Sequence, residues 1–175
     1  MTLKNSAEKF GFLSKFFHWS IFLLFCIQYY LVYRREYFPD TSGEKLSYIL
    51  LHKSLGVVAL VLAVGFLISS HLGVRPKYPS GVALWEKILS RLVHSALFLS
   101  ILLMPLSGML MSFYSGYGIQ VFGFPLYNPF EANKDLAGLF KEGHEILSFI
   151  IMGLVGLHAG AAIFHHFIRK DNILK

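Results

Sequence analysis

The chain has 175 residues, 55% of them hydrophobic and 15% charged, with a formal net charge of +6. Soluble domains carry roughly 25% charged residues, so a water-soluble globule is excluded: its core could not hide this much apolar side chain, and lipid is the environment that accepts it. The basic excess lies in short loops and tails between apolar blocks, which argues for membrane topology and against nucleic acid as a partner.

The first apolar block covers about 16–33. A basic stretch precedes it, as in a secretory leader. Aromatic residues, His18 and Gln28 make a poor leader core, and no Ala-x-Ala-like cleavage site follows, so the block reads as a retained first helix. Cys26 stands alone within it, which leaves no intrachain disulfide or cysteine metal cluster. The second block, 49–69, begins near His52, with Gly56 one turn on. The third, 88–111, has His94 near its start and encloses Pro105, Ser107 and Gly108, residues that bend a membrane helix or admit a neighbour. The connection 112–143 mixes Gly, Pro, Tyr and Phe without periodicity. It reads as a folded cap or interfacial helix, not a hairpin turn, with 133–140 as a candidate short helix. The fourth block, 146–168, carries the small-residue stripe Gly153, Gly156 and Gly160, which suits close helix packing.

Each block is near the roughly 20 residues that cross a hydrocarbon core at 1.5 Å per residue. The expectation is an all-α integral membrane protein, a four-transmembrane-helix bundle forming one domain over 1–175. Four spans put both termini on one side. That side collects ten basic and three acidic residues, against six basic and seven acidic on the other, which places both termini in the cytoplasm. Tyr29, Tyr30, Tyr33 and Tyr37 then fall at the far interface, where amphipathic rings are favoured.

Eight histidines carry the chemistry, and all but His71, which reads as a loop residue, fall within or beside a span. Ionisable side chains in a membrane are costly, so each needs a partner, a water path or a cofactor. His144 and His158 are fourteen residues apart, nearly four helical turns, which puts them on almost one face and roughly 21 Å apart along the axis. One helix thus offers an axial ligand to each of two haems, one near each membrane surface. Chain direction puts His52 at the depth of His144 and His18 at the depth of His158. His94 and His165 share the His18 side, so spacing alone leaves the partner of His158 open. His94 reads as a ligand, a quinone contact or proton relay, or a packing residue. His165 lies on the face of His158, while His166 points toward headgroups.

Two histidines per iron close both axial positions and favour outer-sphere electron transfer. Zinc is the competing metal, but structural zinc prefers compact clusters, and His144-Glu145 lacks the HExxH spacing. A purely structural or transport role is the other alternative. Arg34, Arg35 and Lys53 suit either haem carboxylates, an anionic substrate or interfacial anchoring. No phosphate loop, nucleotide fingerprint or GxSxG motif is present.

Five stretches in order, Phe17-His18-Trp19, Leu51-His52-Lys53, Gly143-His144-Glu145, Gly156-Leu157-His158-Ala159 and Ala162-Ile163-Phe164-His165-His166, are followed by Arg169-Lys170-Asp171-Asn172. With Phe38-Pro39 and the segment from Phe122-Gly123 to Ala132-Asn133, the chain resembles the bacterial cytochrome b561 family over nearly its whole length, and within it the di-haem branch that oxidises superoxide. The resemblance implies two haem b groups in the bacterial cytoplasmic (inner) membrane. It puts His18 and His158 on the cytoplasmic-side iron, His52 and His144 on the external-side iron, and His94 and His165 at the quinone end. It implies oxidation of superoxide to oxygen outside, with electrons passing to ubiquinone, and Arg34, Arg35 and Lys53 attracting the anion. The alternative within the family is a cytochrome b subunit relaying electrons between a partner dehydrogenase or redox protein and the quinone pool. Gly143 stands where that branch carries tryptophan, which leaves the ligand intact but offers no ring for stacking or electron entry.

Overall fold

The computed structural model describes residues 2–170 except 8, 75, 77, 79 and 80. Glu8, Arg75, Lys77, Asp171 and Lys175 of the charge balance, and Asn172 of the last motif, lie outside the described residues. Four helices run through the molecule: α1 (Phe12–Arg35), α2 (Gly43–Leu72), α3 (Leu84–Tyr114) and α4 (Lys134–Ile163), the last continuing as a π-helical segment, Phe164–Arg169. Each is long and apolar enough to cross a membrane. They overrun the apolar blocks because their end turns carry polar residues that hydropathy rejects, such as Lys134, Asp135, Lys141 and Glu142 on α4. Apolar side chains point outward along the helices, Leu92 at 63% and Phe149 at 67% exposure, as a lipid-facing surface requires.

The ends are fixed by local chemistry. The chain before α1 folds back so that the Phe12 and Gly11 amides donate to the Thr2 carbonyl and the Asn5 side chain, at 2.9 and 2.8 Å. Only glycine fits at position 11, where a Cβ would stand 2.5 Å from the Lys4 backbone. Ser42 caps α2 by accepting from the Lys45 amide, and Asn133 caps α4 by accepting from the amides of Asp135 and Leu136. Between α1 and α2 the Lys45 ammonium bonds Asp40 at 2.6 Å and holds its carboxyl below the usual range. Pro105 lies within α3, which continues unbroken past it to Tyr114.

Backbone packing joins α1 to α2, α2 to α3 and α3 to α4. Among the described residues neither α1 nor α2 brings its backbone close to α4. Side chains span those two gaps: the Tyr29 hydroxyl donates to the Ser148 carbonyl, His18 faces His158, and His52 faces His144. The bundle therefore stays open along α4 where the histidines lie.

The connection after α3 departs from expectation. It contains an antiparallel hairpin, β1 (Ile119–Val121) and β2 (Phe124–Leu126), with Val121 opposite Phe124. The two-residue turn Phe122-Gly123 has φ of 50° and 91°, the doubly positive pattern of a type I′ hairpin. The reading of no hairpin turn is thus corrected: Gly123 supplies the left-handed conformation, and strands of three residues are too short to show alternation. The candidate helix at 133–140 is helical from Lys134 onward, as the first turns of α4 with Asn133 as its cap, and is not a separate element. His71 likewise belongs to the last turn of α2, its Nδ1 2.9 Å from the Leu67 carbonyl, and not to a loop.

Ser54 of α2, 2% exposed, pins the hairpin. Its Oγ accepts from the Phe122 amide at 3.0 Å and lies 2.8 and 3.1 Å from the carbonyls of Leu50 and Gln120. Ser54→Ala strips the Phe122 amide of its partner and should cost about 1–3 kcal/mol. Limited proteolysis should then cut between β1 and β2 faster than in the parent; an unchanged cleavage rate would show the hairpin held by other contacts.

Candidate functional site

The histidines gather at two levels along α4. At the hairpin end, His52 of α2 and His144 of α4 face each other with ring centres 6.2 Å apart and planes at 87°. At the opposite end, where α1 begins, His18 and His158 stand 6.0 Å apart at 60°. Metal–imidazole bonds of about 2 Å on opposite sides of one metal atom put two ring centres roughly 6 Å apart. Both pairs have this spacing, and both bridge helices whose backbones remain separated. The donor set suits a bis-imidazole iron. Among the described residues no three or more His, Cys, Asp or Glu side chains gather to hold a metal ion.

The His144 ring is the best supported. Its Nδ1 lies 3.0 Å from the Met104 carbonyl and 3.0 Å from Ser107 Oγ, both on α3. A histidine whose Nδ1–H donates to a carbonyl presents a basic Nε2 to a metal, the usual outer support of a ligand. Gly108 completes the seat: a Cβ there would lie 2.9 Å from His144 Cε1 and 3.2 Å from Nδ1. Sequence reasoning noticed Ser107 and Gly108 only as helix-packing residues. The signal was their position at the depth of His144, with Gly108 one turn past Met104. A Cβ at Gly56, one turn after His52, would meet Gln28 Nε2 of α1 at 3.5 Å. Gln28 Nε2 in turn donates to the His52 carbonyl at 3.1 Å, fixing α1 against α2 at the level of the upper pair. Among the described residues His52 Nδ1 is buried without a hydrogen-bond partner, an orphaned polar atom at the pair itself.

His94 joins the lower level. Its ring centre is 5.0 Å from that of His158 at 84°, and its Nδ1 is 2.6 Å from the Ser90 carbonyl. At that separation the two rings touch edge to face, closer than two rings flanking one iron. His165 lies in the π-helical segment, half-exposed, with its ring edge-on to Phe164. The π-helical winding begins at Phe164, between His158 and His165. An ion pair between Arg169 and Glu86 ties the end of that segment to the start of α3.

The three predicted cations lie at the hairpin end in different settings. Arg34 covers the rings of Tyr37 and Phe38, at 5.3 and 5.8 Å. Arg35 Nε pairs with Glu36 at 2.9 Å, and its charge lies within electrostatic reach of both His52 and His144. Lys53 Nζ donates to the Gly118 carbonyl at 3.2 Å.

Comparison with known proteins identifies the family of the chain. Residues 9–175 match the family described as prokaryotic cytochrome b561. Cytochrome b561 homolog 1 of Escherichia coli (strain K12) is 32% identical over 159 residues, 91% of this chain and 90% of that protein. Cytochrome b561 homolog 2 of the same strain is 30% identical, covering 100% of this chain and 94% of its own length. A Yersinia pestis protein named probable superoxide oxidase CybB is 28% identical over 95% of this chain and 94% of its own.

Proposed function

This chain belongs to the prokaryotic cytochrome b561 family, electron-transport proteins of the membrane, and from that premise we propose that it is a superoxide:quinone oxidoreductase holding two haem b groups. His52 and His144 hold one, His18 and His158 the other. The observation that carries this reading is the pair of imidazole separations, 6.2 and 6.0 Å, each across a gap that helix backbones leave open. When bound, haem b would supply a one-electron carrier at each level.

The residues divide the remaining work. Arg34, Arg35 and Lys53 bring the anion to the external end, taken as the hairpin end because the charge balance puts both termini in the cytoplasm. Two superoxide anions each lose one electron and leave as dioxygen. At the cytoplasmic end one ubiquinone gains those two electrons and two protons and becomes the quinol. His94, held by Ser90, and His165 orient the quinone and pass protons, since histidine exchanges protons near neutral pH. The similarity to a protein named for superoxide oxidation favours this donor.

Reconstituted with a ubiquinone analogue and a superoxide source, the purified protein should reduce quinone in proportion to superoxide supplied. Quinone left oxidised while haem is reduced would remove the enzyme assignment and keep electron carriage. Raising ionic strength from about 10 to about 150 mM shortens screening from roughly 30 to 8 Å, so the superoxide-dependent rate should fall by up to about tenfold. A salt-independent rate would remove the cationic steering.

A second reading rests on the hairpin. Tyr117, Phe124 and Tyr127 are 89, 78 and 83% exposed beside the upper pair, a platform suited to a docking redox protein. In that reading a partner dehydrogenase or redox protein replaces superoxide as donor. A stable complex that loses affinity on Phe124→Ser and reduces the haem directly would favour it.

A further inference from the structure

The hairpin lies against the side of α2 that faces lipid. Ser54, Val61 and Ile68 follow one another at seven-residue steps and so share one face of that helix. Val61 is 65% and Ile68 55% exposed, whereas Ser54, at the hairpin end of the same row, is covered by the hairpin. Two hydrogen bonds give the depth of the turn. Gln28 Nε2 meets the His52 carbonyl, which sets Gln28 level with His52, and Ser54 Oγ holds the Phe122 amide. At 1.5 Å per residue along α1 and α2, the turn is roughly 10 Å deeper than Tyr33, one of the tyrosines at the hairpin-end interface.

The chemistry of the segment suits that depth. No charged residue occurs from Tyr114 to Phe130. The backbone of β2 lies close to β1 alone, so β2 is the outer strand, and the rings of Phe122 and Phe124 are exposed. Val121 pairs with Phe124 across the turn, which makes Gln120 and Pro125 the pair whose backbone groups point away from the partner strand. The Gln120 carbonyl turns to Ser54 Oγ at 3.1 Å. On the opposite edge stands Pro125, which has no N–H. An unpaired backbone donor is costly in lipid, and the outer edge of β2 has none. Between the turn and α2 opens a cleft of about 210 Å³ lined by Leu50, Leu51, Ser54, Gln120, Phe122 and Gly123.

We propose that the hairpin is a lipid-binding wedge, its turn and β2 inserted at the headgroup–acyl boundary of the leaflet at that end, with Phe122 and Phe124 among the acyl chains. The lipid-facing surface of α2 then continues across the hairpin, and the cleft beside Leu50 and Leu51 receives part of a chain. A soluble redox protein docking on the same rings would need them in water. No histidine takes part, so the wedge is independent of what the rings at either level hold.

Spin-label accessibility tests the wedge. Cys26→Ser gives a cysteine-free background, in which Phe122→Cys and Phe124→Cys each carry a nitroxide in the full chain. The labelled proteins are reconstituted into vesicles of phosphatidylcholine and phosphatidylglycerol. Power-saturation EPR then compares collisions with oxygen, which concentrates in lipid, and with a water-soluble nickel chelate. Val61→Cys on α2 is the lipid reference, and Thr41→Cys, exposed in the connection between α1 and α2, is the water reference. Both hairpin labels should be several-fold more accessible to oxygen than to nickel and group with position 61. Either label grouping with position 41 would overturn the proposal and leave the rings in water for a soluble partner. The unsubstituted protein gives a second readout. In vesicles containing a lipid with a photoactivated carbene on its acyl chain, label should appear on the peptide spanning β1 and β2, as on that of Val61 and Ile68. Label on the α2 peptide with none on the hairpin would equally contradict the wedge.

Discussion

Replacing His144 by alanine should lower haem content from about two to about one per chain and leave the remaining haem with an unchanged low-spin spectrum. The reason lies in the separation of the two levels. His144 and His158 share α4 but are about 21 Å apart along it, and no side chain of the lower level, His18, His94 or His158, touches the upper pair. Loss of His144 therefore empties one level without disturbing the helix contacts that frame the other. His52→Ala should give the same stoichiometry, because one imidazole cannot close both axial positions. Haem content that remains at two in both variants would remove this pair as ligands, and loss of both haems would show the levels to be coupled through folding. The pyridine haemochrome assay and the reduced-minus-oxidised spectrum read both outcomes.

Gly108→Ala should act on the same haem without touching a ligand. The added Cβ would stand 2.9 Å from His144 Cε1 and 3.2 Å from Nδ1, against a ring already fixed by Met104 and Ser107. The ring must turn, α3 must move from α4, or the Nδ1 bond must break. Overpacking of this kind costs about 1–3 kcal/mol, and the lost outer support weakens metal binding further, by roughly 10–100-fold. One haem should become substoichiometric or shift its potential while the other is untouched. Ser107→Ala, which removes one contact and adds no bulk, should give a smaller shift in the same haem. If Gly108→Ala alters neither haem, the seat on α3 does not govern the upper site.

The sequence carried much of this arrangement in two periodicities. Apolar blocks near 20 residues made the four helices legible, because lipid requires each span to satisfy its own backbone and leaves few alternatives to a helix. The fourteen-residue step from His144 to His158, read with the alternating direction of the spans, also indicated that His52 would face His144, while it left the partner of His158 open among His18, His94 and His165. What lay outside these patterns was set by tertiary contact. The hairpin has only three residues in each strand and depends on Gly123 for its turn and on Ser54, far away in sequence, for its anchorage. Gly108 looked like any small residue in a membrane helix until the ring of His144 was found against it. The π-helical turn at Phe164–Arg169 has no hydropathy signature.

The central claim is that two histidine pairs at two depths each hold a haem. An optical redox titration of the purified, detergent-solubilised protein tests it most directly. Two low-spin, six-coordinate haems per chain, resolved as two one-electron steps and reduced to one step by His144→Ala, are the predicted result. A parent protein with no haem, a single haem, or a five-coordinate high-spin spectrum would contradict it.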